Sequence, residues 1–292
     1  MKALKGTGVA MVTPFDVDGK VDFPALEKLT EYLVSGGVDY LVVMGTTGES
    51  VTLSKPEKEE VLDSVVQTAD GRFPIVLGVG GNNTAEVCKQ LNHLDKTGLT
   101  AVLSVSPSYN KPTQKGIYAH FEAVAEASPL PIILYNVPGR TASNMEASTT
   151  LKLAKDFENI VAIKEASGNL EQCMQIIKNR PDDFLVISGD DNLTLPLIAC
   201  GADGVISVVA NALPERFSQL ISSGLSGDFS NARKLHYQLI DIVNLLFAEG
   251  NPAGVKCVLN ELGICEENVR LPLVQISDKL RNELLGLIRN LS

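Results

Sequence analysis

Eight short apolar runs alternate with amphipathic segments along most of the chain, and this alternation restricts the possible folds more than any other feature. Each run is about as long as a β-strand and is rich in valine, isoleucine and leucine. Because apolar residues follow one another without regular alternation, the runs are typical of parallel strands that are buried on both faces. They span residues 8–13, 40–44, 75–79, 101–104, 132–136, 161–164, 185–188 and 204–208.

Helix signals lie between these runs. Ser54 and Glu57 fit a capping box, and apolar residues at helical spacing follow them. Asn83 or Thr84 can cap a second helix, which we expect to end at Gly98, and residue 214 is a proline that can open another. Strands joined by helical crossovers predict a closed (β/α)₈ TIM barrel, an α/β fold. An open doubly wound sheet is the alternative on this pattern.

The strand signal stops near residue 227, and the rest of the chain is predicted to be helical. The three expected helices cover residues 228–249, 252–262 and 277–290. A TIM barrel needs roughly 250 residues, so a chain of 292 residues fits one barrel with a modest extension, although two ordinary domains would also fit. We therefore expect a catalytic barrel over residues 1–226 and a C-terminal helical extension over residues 227–292.

The charge balance and the cysteines narrow the range of partners and compartments. With 35 acidic and 25 basic residues, the net charge of −10 disfavours nucleic acid and anionic membranes as partners. No apolar run approaches the roughly 20 residues of a membrane helix. Five irregularly spaced cysteines and no metal-ligand motif indicate free thiols in a reducing compartment and no metal site. We expect a soluble, cytoplasmic protein.

Lys164 is the strongest candidate for a catalytic residue. It stands at the carboxyl end of the apolar run 161–164, and catalytic groups of barrel enzymes sit at the carboxyl ends of strands. Burial disfavours the ammonium form of a lysine, and a neutral amine attacks carbonyl carbon. The alternative is a lysine whose stem packs on the barrel while its charge reaches solvent.

Other polar motifs also follow predicted strands. Thr46 and Thr47 lie in the glycine-rich turn 45–49, where hydroxyl and backbone N–H groups can hold a carboxylate, although an ordinary βα loop has the same pattern. Tyr135 ends the fifth run, and Arg140 lies in the loop beyond it. A tyrosine can transfer protons and an arginine can bind a carboxylate, but a core tyrosine and a surface arginine are equally typical.

Two further loops complete the set. Tyr109 lies in a proline-flanked loop after the fourth run, where simple loop packing is the alternative to a catalytic role. Gly189 follows the seventh run, and the acidic pair after it can also be explained as a helix N-cap by Asp191 or Asn192. All five signals follow strands, so the barrel would collect them on the face where barrel enzymes react.

The motifs at residues 45–49, 109–112, 135–141 and 163–166, taken in order, resemble those of the dihydrodipicolinate synthase family. This family lies in the superfamily that also contains N-acetylneuraminate lyase, and the resemblance covers essentially the whole chain. It implies a class I aldolase-type lyase that condenses pyruvate with L-aspartate 4-semialdehyde in diaminopimelate and lysine biosynthesis. It also implies that no cofactor is needed and that the protein is a homotetramer, built as a dimer of dimers.

The resemblance also implies a role for each candidate residue. Lys164 would form an imine with pyruvate, and Tyr135 would act as general acid and base. Both substrates carry carboxylates, which would need their own binding groups. Tyr135 would share a proton relay with Thr46 and with Tyr109 of a neighbouring subunit. Thr47 and Arg140 would bind the carboxylates. The main chains of Gly189 and Ile206 would line the pyruvate pocket.

Two other functions remain open at this point. A lyase of the same superfamily, acting on sialic acid or a 2-keto-3-deoxy sugar acid, would share Lys164 and Tyr135. Arg140 favours the synthase, because a semialdehyde with its own carboxylate needs a cation whereas a polyol needs hydroxyl partners. A non-catalytic barrel that binds a small acid would be expected to lose the nucleophile or its acid/base partner.

Overall fold

The computed structural model describes residues 2–291 and shows a closed barrel of eight parallel strands in sequence order. Strand eight pairs with strand one and closes the barrel, so the doubly wound alternative is wrong. Met1, at the start of the predicted barrel segment, lies outside the described residues, as does Ser292 at the end of the predicted helical extension. The strands are β1 (Gly6–Ala10), β2 (Tyr40–Val43), β3 (Ile75–Gly78), β4 (Ala101–Val105), β5 (Ile132–Asn136), β6 (Ile160–Glu165), β7 (Leu185–Ser188) and β8 (Gly204–Ser207).

Seven of the eight runs are confirmed to within one residue at each end, and β1 is the exception. It begins two residues before the predicted run and ends at Ala10. At its start, the backbone of Gly6 lies very close to that of Gly204 in β8. A Cβ on Gly204 would lie 2.1 Å from the carbonyl oxygen of Gly6. Beyond its end, the backbone N–H of Val12 donates to the side chain of Asn211 instead of a neighbouring strand. Neither contact is visible as an apolar pattern.

The helices of the barrel begin largely where the capping signals predict. Ser54 and Glu57 form the expected capping box, and Asn83 caps α3. However, α3 ends well before Gly98, because the side chain of Asp95 accepts from Thr97 and stabilises a turn. The helices are α1 (Phe23–Ser35), α2 (Lys55–Ala69), α3 (Thr84–Asn92), α4 (Gln114–Ala127), α5 (Pro138–Thr141), α6 (Ala147–Asp156), α7 (Leu170–Asn179), α8 (Thr194–Ala199) and α9 (Pro214–Leu225).

Two apolar layers hold the barrel together. A larger cluster fills the space between the strands and the surrounding helices. A smaller cluster fills the barrel itself and includes Tyr40, Ile133, Tyr135, Ile187 and Ile206. Since side chains alternate between the two sides of a strand, Tyr135 and Ile206 are directed into the barrel by their positions along β5 and β8.

Three helices follow the barrel, as the sequence predicts: α10 (Phe229–Phe247), α11 (Ala253–Glu261) and α12 (Asp278–Arg289). We call them the C-terminal helices. The backbone of Gly254 in α11 lies so close to α10 that an added Cβ would be 2.4 Å from the carbonyl oxygen of Leu246. This contact fixes the position of α11 and of the residues just before it. Across residues 2–291, we find no helix with the length and apolar character needed to span a membrane.

Candidate active site

Lys164 and Tyr135 lie side by side at the carboxyl end of the barrel. They are register partners on the neighbouring strands β6 and β5. The Nζ atom of Lys164 lies 4.5 Å from the centroid of the Tyr135 ring, and both residues are buried. The structure therefore places an amine and a phenol in one sheltered position, where each can exchange protons with a group bound between them.

A hydrogen-bond network lies directly behind this pair. The next register partners are Asn136 and Glu165, and the Nδ2 atom of Asn136 lies 3.1 and 3.2 Å from the two carboxylate oxygens. Gln172 donates to the same carboxylate at 2.9 Å, as does the backbone N–H of Ser167. Burial raises the pKa of Glu165, while these donors oppose the increase. The network stabilises the strand register that sets Lys164 beside Tyr135.

Gly189 leaves room for the lysine stem. Its N–H donates to the carbonyl oxygen of Glu165 at 2.7 Å, so the chain after β7 runs close to β6. A Cβ at this position would lie 3.0 Å from Cε of Lys164 and 2.6 Å from Cβ of Ala166. Ile206 is fully buried in the same interior cluster as Tyr135. The structure thus brings Gly189 to Lys164 and places Ile206 inside the barrel.

The glycine-rich turn after β2 is a single 3₁₀ turn, Thr46–Gly48. Met44 and Glu49, on either side of it, have left-handed backbone conformations with φ of 61° and 51°. Thr46 is exposed, whereas Thr47 is buried and its hydroxyl oxygen accepts from Nδ2 of Asn251 at 3.0 Å. The two threonines therefore have different surroundings, despite being adjacent in sequence.

The C-terminal helices hold this turn from the other side. Lys256 of α11 is completely buried, and its Nζ donates to Glu49 at 2.6 Å and to the carbonyl oxygen of Asn268 at 2.7 Å. The same atom lies 4.2 Å from the ring centroid of Phe15. Burial lowers the pKa of Lys256, and Glu49 opposes the decrease. Removing either partner would leave a buried charge unpaired, which is strongly destabilising.

Tyr109 and Arg140 lie at the surface. Tyr109 follows β4 with a left-handed φ of 65°, and 90% of its surface is exposed. Arg140 lies in α5, the short helix after β5, and is also exposed. Neither residue is enclosed in the barrel of its own chain, although both lie beyond strand ends on the face that carries Lys164.

The two aspartates after β7, Asp190 and Asp191, have different roles. Asp190 caps the 3₁₀ turn that follows, so the alternative explanation of a cap by Asp191 or Asn192 is wrong. Asp191 is fully buried instead, and its carboxylate accepts from the backbone N–H groups of Val208 and Val209 at 3.0 and 2.9 Å. Burial raises its pKa to about 6. This contact joins the chain after β7 to the chain after β8.

No group of three or more histidine, cysteine, aspartate or glutamate side chains suitable for a metal ion occurs within residues 2–291. A sequence profile described as the Dihydrodipicolinate synthetase family matches residues 3–291. The chain belongs to this family. The resemblance that the motifs indicate is confirmed, and the match includes the C-terminal helices as well as the barrel.

Individual relatives agree with this assignment. A curated protein of Flavobacterium psychrophilum named 4-hydroxy-tetrahydrodipicolinate synthase is 55% identical, over 97% of each chain. The solved structure of dihydrodipicolinate synthase from Aquifex aeolicus has a TM-score of 0.95 and 44% identity, and covers 99% of this chain and 98% of its own. A dihydrodipicolinate synthase from Acinetobacter baumannii, described as chloride inhibited and complexed with pyruvate, has a TM-score of 0.95, 39% identity and 98% coverage of both chains.

Asn136 lies within the motif 135–141, but the sequence does not identify it, or three other polar residues around the site, as supporting groups. Asn136 and Gln172 fix Glu165, while Asn251 and Lys256 bind the turn after β2. Lys256 leaves a sequence signal of its own, because it is a single lysine within the otherwise apolar stretch 253–259. A buried cation in such a stretch requires an anionic partner, but the sequence does not identify that partner as Glu49.

Proposed function

We propose that this chain condenses pyruvate with L-aspartate 4-semialdehyde and that Lys164 forms the imine. The observation that carries the proposal is the buried Lys164 amine, 4.5 Å from the Tyr135 ring at the carboxyl end of the barrel. The synthase name of the curated relatives supports these substrates over those of a sugar-acid lyase. The reaction would then be the entry step of diaminopimelate and lysine biosynthesis.

The first half of the reaction forms an enamine. The amine nitrogen of Lys164 attacks C2 of pyruvate, and loss of one water from the carbinolamine gives a protonated imine. Tyr135 acts as general acid for the departing hydroxyl and as general base in removing a proton from C3. The electrons of that C–H bond move toward the imine nitrogen, which serves as the electron sink, so the chemistry needs no metal or cofactor.

The second half forms the carbon–carbon bond and closes the ring. C3 of the enamine attacks the aldehyde carbon of the semialdehyde, and the aldehyde oxygen takes up a proton relayed through Tyr135. The imine is regenerated in this step. The amino group of the semialdehyde then attacks C2, and the amine of Lys164 leaves. The product is a ring, and the enzyme returns to its starting state.

Separate groups bind the two substrate carboxylates. The hydroxyl of Thr47, with backbone N–H groups of its turn, binds the carboxylate of pyruvate, and the main chains of Gly189 and Ile206 line that pocket. Arg140 binds the carboxylate of the semialdehyde. Its exposed position suits a substrate that enters after the imine has formed, and a guanidinium can bind a carboxylate through two parallel hydrogen bonds.

Tyr109 acts in a neighbouring subunit, where it completes a proton relay with Thr46 and Tyr135. In the single chain, Tyr109 and Val51 are 90% and 92% exposed. Aromatic residues are enriched at protein–protein interfaces, so the exposed Tyr109 favours contact with another protein. We assign that partner to a second copy of the chain and the assembly to a homotetramer, a dimer of dimers. We place the enzyme in the cytoplasm.

Trapping the imine tests the proposal. Borohydride reduction in the presence of pyruvate should attach a stable mass adduct to the peptide that contains Lys164. The variant Lys164→Ala should not be labelled. The matched control Lys178→Ala changes an exposed lysine of α7 and should be labelled like the unaltered chain. Labelling of Lys164→Ala, or turnover of N-acetylneuraminate in place of the semialdehyde, would refute the proposal.

A further inference from the structure

The hydrogen bond from Asn251 to Thr47 joins the C-terminal helices to the turn that holds the carboxylate-binding group. The two residues are 204 positions apart in sequence, both are at least nine-tenths buried, and their side chains meet at 3.0 Å. Asn251 lies just before α11, the helix whose position is fixed by the close approach of Gly254 to α10. The contact is therefore supported by packing on the Asn251 side.

The direction of this hydrogen bond determines what the threonine hydroxyl can do. A hydroxyl group has one proton to donate and lone pairs that accept. Because the oxygen of Thr47 accepts from the amide N–H of Asn251, its own proton stays available for another acceptor. A substrate carboxylate is such an acceptor, and a hydrogen bond to an ionised group is about twice as strong as one between neutral groups.

A second anchor keeps the threonine in place. Two residues further along the turn, Glu49 is bound by Lys256 of α11 at 2.6 Å. The Oδ1 atom of Asn251 is buried and has no hydrogen-bond partner within residues 2–291. A buried acceptor of this kind is costly unless a partner is supplied. The amide is thus held by its donor side, through the hydrogen bond to Thr47.

We propose that Asn251 is a positioning residue: it orients the hydroxyl of Thr47 so that the O–H group donates to the carboxylate of pyruvate. This inference rests on the proposed function, which supplies the ligand, and it gives the C-terminal helices a part in substrate binding. Asn251 acts through Thr47 and takes no part in the bond-making steps.

The variant Asn251→Asp tests the orientation directly. It preserves the shape of the side chain but replaces the N–H donor with an acceptor, so the hydroxyl of Thr47 turns its proton toward the new carboxylate. We expect the KM for pyruvate, and the pyruvate concentration that half-saturates borohydride trapping, to rise roughly 10- to 100-fold, the range for loss of a charge-assisted hydrogen bond. The KM for the semialdehyde should change by less than about threefold, since that substrate binds elsewhere.

Two comparisons separate positioning from a purely structural role. Asn244→Asp adds the same charge at an exposed site of α10 and should leave both KM values unchanged. Asn251→Ala removes the donor without adding charge and should raise the KM for pyruvate in the native background. With Thr47→Val already present, the same change should have no further effect on that KM.

Each outcome bears on one of the two proposals. If the unaltered chain forms no imine, the proposed function fails. If the unaltered chain forms the imine and Asn251→Asp leaves the KM for pyruvate unchanged, the inference about Asn251 is overturned. Multiplicative effects of Asn251→Ala and Thr47→Val on that KM would also overturn it. Failure of both Asn251 variants to fold would assign the residue to the fold and overturn it as well.

Discussion

Asp191 carries a pH dependence of stability that one substitution should remove. Its carboxyl group is fully buried after β7, where it accepts two backbone hydrogen bonds. Burial disfavours the charged form more than the two N–H donors and the Ser207 hydroxyl favour it, so the pKa rises from 3.8 to about 6. In Asp191→Asn, a neutral amide can still accept both hydrogen bonds.

The sign and the magnitude follow from these pKa values. Between pH 4 and pH 6 the folded protein holds a proton on Asp191 that the unfolded chain has lost, so the free energy of unfolding decreases as the pH rises. The difference between 3.8 and about 6, at 1.36 kcal/mol per pH unit, limits this loss to about 3 kcal/mol. The Asp191→Asn variant has no such loss, so its advantage should grow with pH and level off near pH 7.

Thermal unfolding at fixed protein concentration, from pH 4.5 to pH 7.5, measures this difference. The unfolding temperature of each protein is plotted against pH, and the curve of the unaltered chain is subtracted from that of Asp191→Asn. The subtraction removes the contributions of all groups that titrate in both proteins. The unfolding temperature of Asp191→Asn relative to the unaltered chain should rise by up to about 6 °C across this pH range, at about 2 °C per kcal/mol for a large domain. Asp183→Asn, at an exposed position, is the control. A difference that does not vary with pH would refute the reasoning.

Two further predictions concern the exposed residues of the site. Arg140→Ala should raise the KM for the semialdehyde by roughly 10-fold or more, the range for a lost hydrogen bond to a charged group of about 1.5–3 kcal/mol, while imine trapping with pyruvate is unchanged. Equal damage to both measurements would contradict the assignment. Lys164→Ala chains and Tyr109→Phe chains should each be inactive, but a mixture of the two should regain part of the activity. In a hybrid dimer, one site has Lys164 from one chain and Tyr109 from the other and is therefore intact. Full turnover by a demonstrated monomer would exclude the shared site.

The sequence by itself determined the barrel and the face on which its chemistry lies. Parallel strands buried on both sides must be apolar along their length, so all eight could be located, and the helices between them begin at recognisable caps such as Ser54. Strand ends are local features too. Lys164, Tyr135 and Gly189 could therefore be selected because each follows or ends an apolar run, and the structure brings these three together.

The first strand shows where local patterns fail. Its start depends on the approach of Gly204 to Gly6, and beyond its end Val12 donates to the side chain of Asn211. Both partners lie about 200 residues away in sequence. An apolar run indicates burial, but it does not indicate which backbone N–H group donates to a distant side chain.

Only the tertiary structure decided how the turn after β2 is held. Asn251 and Lys256 reach Thr47 and Glu49 because α11 packs against α10 and returns to the barrel. A hydrogen bond or a buried ion pair needs two partners within about 3 Å, and a linear pattern can specify the chemical type of each partner but not their separation in space. The sequence therefore specifies the chemical type of the candidate groups, and the packing of the C-terminal helices determines which of them meet at the turn after β2.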